Sequence, residues 1–142
     1  MMPDEPGDAA CWAAEVCEGC GTPVARGADH RCTRRVHLDG LRPGSGADGV
    51  VWSLAGDRQL DVNLVALGAG GAIGEHANDA VDVCIVVLDG TVALLVDGVA
   101  HPLGTHELAF VPRGTRRAIV AGDAGARYLS VHTARPGPAI RN

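Results

Sequence analysis

The chain has 142 residues, of which 46% are hydrophobic and 20% charged, with 20 glycines and a formal net charge of −5. These values are typical of one ordered, turn-rich globular domain with at most a small additional module, and they exclude a disordered chain. No run of about eighteen apolar residues is present, so we expect no membrane span. The negative charge argues against nucleic acid as a partner. Residues 1–5 lack a basic region followed by an apolar run, so we expect no secretory signal and a cytoplasmic location.

The sequence divides into five segments. Residues 1–10 have no periodicity and are expected to form a flexible tail. Residues 11–39 hold four of the five cysteines and are expected to form a separate small module. Residues 40–48 are rich in glycine and read as a linker. Residues 49–133 carry the β-type pattern of the main domain, and residues 134–142 form a second tail.

The N-terminal module contains a Cys-x-x-Cys pair, Cys17 and Cys20, with a glycine directly after it. This is the form of a zinc knuckle, in which a tight turn directs two thiolates to one point. His30 and Cys32 follow, and the four side chains make a three-cysteine, one-histidine set that suits structural zinc. So short a segment buries too little apolar surface to fold alone, so metal binding would supply much of its folding energy. Cys11 is a spare thiol or an alternative ligand.

Two other interpretations of these cysteines stay open. Cys17 and Cys20 could form a redox-active disulfide, although such a pair normally lies at the start of a helix in an α/β fold. Alternatively, the cysteines are unligated thiols of a cytosolic protein.

Short β-type runs follow one another after the linker, at residues 50–54, 60–67, 81–88, 91–96, 107–111, 117–120 and 127–132. The Asp-Gly pairs at 89–90 and 97–98 are typical of hairpin turns. Regular spacing without a helical stretch predicts an all-β sandwich or barrel. The central runs are apolar on both faces, which suggests that one face lines the interior while the other packs on strands or on a partner subunit. We therefore expect a homodimer.

Gly70 is followed after five residues by His76-Ala77-Asn78, then after four residues by Val83 and after six more by Gly90. This spacing resembles the first motif of the cupin superfamily, which runs Gly, five residues, His-x-His, three or four residues, Glu, six residues and Gly. The resemblance covers roughly residues 49–133 and implies a cupin-type β-barrel, also called a jelly roll.

The second cupin motif places a histidine shortly after Pro-x-Gly. Here Pro-Arg-Gly at 112–114 is followed by Arg117 at that position. Cupins with a full ligand set hold a transition metal in the barrel and run dioxygenase, isomerase or decarboxylase reactions. Of the four ligand positions this chain keeps only His76, because asparagine is a weak ligand, valine offers none, and a guanidinium is always protonated. We therefore expect no conventional barrel metal.

The polar residues left at the expected barrel mouth suit an anionic or carbonyl-bearing small molecule. They are His76, Asn78, Arg117 and Tyr128, and arginine makes paired, charge-assisted hydrogen bonds to carboxylates. His132 lies at alternate spacing from Tyr128, so it could share their face, and His76 and His132 are candidates for a general acid and base. In the alternative interpretation, Arg117 points to solvent and His76 makes only a structural hydrogen bond.

Three functional hypotheses follow. The first is a cupin-fold protein with a structural zinc site that binds a small organic ligand in the barrel without the usual metal centre. The second is a small cupin enzyme of the isomerase, cyclase or hydrolase type that uses His76, Arg117 and His132; whether any reaction is catalysed stays open. The third is an interaction protein whose zinc module recruits a macromolecule.

Overall fold

A computed structural model gives the fold of the chain and describes residues 14–17, 21, 23–25, 33–41, 48–56 and 58–134. The chain divides into two units, Met1–Gly40 and Leu41–Asn142. The tail predicted at residues 1–10 lies outside the described residues, as does all but the first residue of the tail predicted at 134–142. Within the described part of the chain, no helix is long and apolar enough to cross a membrane.

The described residues of the first unit include a short antiparallel hairpin. Strand β1 (Ala14–Val16) pairs with β2 (Pro23–Ala25), with Val16 opposite Pro23. Cys17 directly follows β1, and the backbone N–H of Gly21 donates to the Cys17 carbonyl at 2.7 Å. Gly21 has a φ of 76°, a left-handed conformation that glycine adopts without steric cost.

The described residues of the second unit form seven strands joined by antiparallel pairings. They are β3 (Gly49–Ser53), β4 (Leu60–Leu67), β5 (Ala72–Ala77), β6 (Val83–Val96), β7 (Val99–Leu103), β8 (Leu108–Val111) and β9 (Arg116–Thr133). The all-β jelly-roll prediction is confirmed. Strands β5 and β7 were not among the predicted runs.

Two long, bent strands build both layers of the jelly roll. The first half of β6 pairs with β8 and with the second half of β9, whereas the second half of β6 pairs with β7 and with the first half of β9. The main strand order is β3-β4-β9-β6-β7, and β3 and β7 stand at its two ends. Among the described strands the sheet is not closed, so the predicted barrel is not a complete ring of hydrogen-bonded strands.

The two long strands turn from one layer to the other at a pair of glycines. Gly90 in β6 has a φ of 73° and Gly125 in β9 a φ of 75°. A Cβ atom on Gly90 would overlap the carbonyl oxygen of Gly125, and a Cβ on Gly125 would come within 2.6 Å of the Leu67 carbonyl oxygen. Only glycine permits so close an approach of three backbone segments.

The two Asp-Gly pairs adopt different structures. The hairpin predicted at 97–98 is confirmed, because Val96 pairs with Val99 and both turn residues have positive φ, as a type I′ turn requires. The hairpin predicted at 89–90 is wrong. Strand β6 continues through these residues with register shifts on either side, because both of its halves keep pairing with β9.

One continuous apolar core lies between the layers. Its most buried members include Val83, Ile85 and Val87, which are at most 2% exposed and alternate along β6. The residues between them face outward and are half-buried. On the neighbouring strand β8, Leu108 and Phe110 are 59% and 58% exposed.

Candidate functional site

A cavity of about 210 Å³ lies among strands β3, β4, β5, β6 and β9 of the second unit. Its apolar walls come from Val65, Ile73, Val83, Ile85 and Ile119. Its polar lining comes from Asn63, His76, Asn78, Arg117, Tyr128, Ser130 and His132. The fold therefore brings all the residues predicted to bind a ligand, and the candidate His132, to one cavity.

Arg117 places a buried positive charge in this cavity. It pairs across strands with His76 of β5 and Val96 of β6, and it is only 6% exposed. The interpretation in which Arg117 points to solvent is therefore wrong. Its Nε and Nη1 atoms are buried and make no hydrogen bond with the described residues, although the residue has other interactions. A guanidinium stays protonated even when buried, so Arg117 brings a positive charge to the cavity.

Asn78 adds a neutral donor to the same lining. The residue is 7% exposed, its Oδ1 accepts a hydrogen bond from the Ala80 N–H at 3.2 Å, and its carbonyl accepts one from the Gly114 N–H at 2.8 Å. These bonds fix the side chain and tie the loop after β5 to the turn before β9. The buried Nδ2 makes no hydrogen bond with any described residue. An unsatisfied buried amide costs about 1–3 kcal/mol, which a bound acceptor would recover.

His76 lies at the exposed side of the cavity. Its Nδ1 lies 2.8 Å from the Gly74 carbonyl oxygen. A carbonyl can only accept, so Nδ1 carries the hydrogen and Nε2 is the nitrogen available to other groups. The structural hydrogen bond considered as an alternative is thus present, and the ring lines the cavity as well.

Tyr128 contributes a phenol that stays neutral. The side chain is 3% exposed, and burial raises its pKa to about 12, an effect that the nearby positive charge of Arg117 partly opposes. At neutral pH the hydroxyl can therefore both donate and accept a hydrogen bond.

His132, near the C-terminal end of β9, is the last of the predicted residues in the cavity lining. It is 9% exposed, and its Nδ1 lies 2.7 Å from the Thr133 carbonyl oxygen and 3.9 Å from Oδ2 of Asp61. Asp61 pairs directly with His132 across β4 and β9, and Asn63 pairs with Ser130 two residues along. Sequence reasoning missed Asn63, although its alternation with Val65 in β4 places the two side chains on one face.

The cupin resemblance implies a metal at this place, but the side chains do not fit one. Val83 is a core residue that offers no ligand atom, and Arg117 brings a positive charge to the cavity. Within the described residues, no group of three or more His, Cys, Asp and Glu side chains could hold an ion. A divalent transition metal needs several imidazole, thiolate or carboxylate ligands, and a buried guanidinium would repel it.

The predicted zinc ligands lie mostly outside the described residues. Cys17 follows β1 and is half-buried with a free thiol. Cys20, His30 and Cys32, together with Cys11, are not among the residues that the structure describes.

Residues 63–132 match the family model of the cupin domain. This match covers just under half of the chain and supports the resemblance to the cupin superfamily. No curated protein matches the chain in sequence.

Solved structures share the fold. TT1209 from Thermus thermophilus is 24% identical with a TM-score of 0.61, over 72% of this chain and 98% of that one. A protein with a double-stranded β-helix domain from Klebsiella pneumoniae is 19% identical with a TM-score of 0.63, over 76% of this chain and 94% of that one. KdgF from Halomonas sp. is 17% identical with a TM-score of 0.56, over 63% of this chain and 81% of that one. At these identities the likeness shows the fold alone.

Proposed function

We propose that the cavity of the cupin domain binds a small organic anion without a metal. The observation that carries this proposal is the buried positive charge of Arg117 in a cavity that Asn78, with its buried amide, also lines. A carboxylate would accept hydrogen bonds from both side chains, and a charge-assisted bond such as that from Arg117 is about twice as strong as a neutral one.

The lining also limits the ligand. The volume of about 210 Å³ is below the roughly 300–1,000 Å³ of cavities that hold drug-sized molecules. Ile73, Ile85 and Ile119 give the cavity branched apolar walls. A small aliphatic acid with one charged end therefore suits it better than a sugar phosphate or a nucleotide.

A binding measurement with a matched arginine pair tests this proposal. The probe is isovalerate, titrated by calorimetry or NMR into wild type, Arg117→Gln and Arg116→Gln. Arg116 is the adjacent control, because it is exposed and pairs with Glu75 at 3.2 Å on the surface. We expect Arg117→Gln to weaken binding by about tenfold or more and Arg116→Gln by less than about twofold. Equal effects of the two substitutions would contradict the proposal.

We also propose a structural zinc site in the first unit, with Cys17, Cys20, His30 and Cys32 as ligands. It is supported by the hairpin of β1 and β2, which holds Cys17 at its end, and by the left-handed Gly21 that closes the turn. Such a turn directs two thiolates to one point, and three cysteines with one histidine form a closed tetrahedral set.

Elemental analysis by mass spectrometry tests the zinc site on wild type, Cys17→Ala and His76→Ala. We expect about one zinc per chain, lost in Cys17→Ala and kept in His76→Ala. Metal lost in His76→Ala instead would place the ion in the cupin cavity and overturn both proposals.

A homodimer is proposed from the outer surface of β8. Leu108 and Phe110 are neighbours on that outer face and are both more than half exposed, with the half-buried Cys84 and Val86 of β6 beside them. An exposed apolar surface of this kind favours association with a second copy of the chain. Light scattering should show a dimer for wild type and a monomer for Phe110→Asp, whereas Leu60→Asp, at an exposed apolar residue of β4, should leave the dimer intact. A monomeric wild type would contradict the proposal.

A further inference from the structure

We infer that the cavity selects a hydroxycarboxylate, whose carboxylate contacts Arg117 and Asn78 and whose hydroxyl donates a hydrogen bond to Nε2 of His132. This inference rests on the proposed anion binding and goes beyond it by naming the second group that the ligand must carry.

The backbone fixes the tautomer of His132. Its Nδ1 lies 2.7 Å from the carbonyl oxygen of Thr133, and this oxygen has no hydrogen to give. Nδ1 therefore carries the hydrogen, and a neutral imidazole in this state has its lone pair on Nε2. His132 lines the cavity, and in its neutral form it offers an acceptor at Nε2, whereas Arg117 and Asn78, which also line the cavity, offer donors.

The surroundings of the ring hold this arrangement in place. His132 is 9% exposed and lies on β9 with β4 paired beside it, so the ring has little freedom to turn. The Asp61 carboxylate lies 3.9 Å from Nδ1, beyond hydrogen-bond distance and on the side of the ring that faces the Thr133 carbonyl. No charged group therefore competes with a ligand for Nε2 among the described contacts of this side chain.

The positions of Arg117 and His132 along β9 favour a ligand with two polar groups. Arg117 pairs with β5 and the second half of β6, whereas His132 pairs with β4. The two residues therefore reach the same cavity from different layers of the jelly roll. The apolar side chains of Ile85 and Ile119 also line that cavity. A plain carboxylate would satisfy the donor end and leave the acceptor of His132 without a hydrogen bond, at a cost in affinity.

Matched ligands test this inference. Isovalerate and its 2-hydroxy and 3-hydroxy derivatives differ from one another only by the presence and place of one hydroxyl. Their affinities are measured by calorimetry on wild type, His132→Phe and His101→Phe, with the fold of each variant checked by circular dichroism. His101 is the control because it is an exposed histidine of β7 that lies outside the residues lining the cavity.

We expect wild type and His101→Phe to bind the better of the two hydroxy acids roughly tenfold more tightly than isovalerate. His132→Phe should bind all three acids alike. In wild type labelled with ¹⁵N at histidine, the hydroxy acid should shift the Nε2 resonance of His132 and isovalerate should not. This NMR measurement tests whether the ligand hydroxyl contacts His132 even if His132→Phe does not fold.

The outcomes separate the inference from the proposed function. Equal affinity of wild type for all three acids would overturn the selection of a hydroxyl and leave anion binding intact. A preference that survives in His132→Phe would overturn the role of His132. Failure of every acid to bind would overturn the proposed function itself.

Discussion

The close approach of β6 and β9 at Gly90 predicts a large loss of stability when a single methyl group is added there. Gly90→Ala places a Cβ atom on the carbonyl oxygen of Gly125, and the residue has a φ of 73°. The left-handed backbone alone costs an alanine about 1–2 kcal/mol. The overlap falls on backbone atoms of a paired strand, which cannot move aside as a side chain does, and overpacking of this kind adds about 1–3 kcal/mol or more.

Gly98→Ala is the matched control for this prediction. Gly98 has a φ of 79°, and a Cβ there would meet no atom within 4 Å. Both substitutions carry the backbone cost, and only Gly90→Ala carries the overlap. We expect Gly90→Ala to be less stable than Gly98→Ala by about 2 kcal/mol, which lowers Tm by about 8–16 °C in a domain of this size. Thermal unfolding followed by circular dichroism measures the difference, and equal losses would refute the close approach of β6 and β9.

Two further predictions concern the cavity. Tyr128 is the single tyrosine, so absorbance at about 295 nm reports its titration directly. Because burial raises its pKa to about 12, only about 1% should be ionised at pH 10 rather than about half, and Arg117→Gln should raise the pKa further by removing an opposing charge. The pKa of Tyr128 is higher in the folded state than in the unfolded state, so the neutral phenol contributes to stability below pH 10, and this contribution is lost between about pH 10 and 12. Titration of Tyr128 near pH 10 in the folded protein would contradict the burial of the phenol. Ile85→Ala, at a side chain 1% exposed, should cost about 2–5 kcal/mol in urea unfolding, and a cost below about 1 kcal/mol would contradict its place in the core.

The strands that could be predicted are those whose local pattern matches their environment. Residues 60–67 were predicted and form β4 with the same bounds. Strand β5 was missed because Ala72–Ala77 has a single large apolar residue, Ile73, and gains its strand structure from pairing with β9. Strand β7 contains Pro102, which argues against a strand in sequence but is tolerated at an edge that pairs only with β6.

The continuity of the long strands could not be read from local signals. Asp89-Gly90 has the composition of a hairpin turn, and so does Asp97-Gly98. Only the second is one, because residues on both sides of Gly90 keep their partners in β9. The choice between a turn and a bend thus depends on a strand that lies about 30–40 residues further along the chain.

For the candidate site, the motif spacing predicted which residues lie together, but it did not predict the contacts that these residues make. The cupin spacing placed His76, Asn78 and Arg117 together, and alternation added Tyr128 and His132. The carbonyl of Thr133 that fixes the His132 ring could not be predicted, since it depends on backbone geometry at the end of β9.

A crystal structure of the protein with isovalerate tests the central claim most directly. Our account predicts the carboxylate in the cavity, within hydrogen-bond distance of the Arg117 guanidinium and of Asn78 Nδ2. A metal ion held by His76 at that place, or isovalerate bound only outside the cavity, would contradict it.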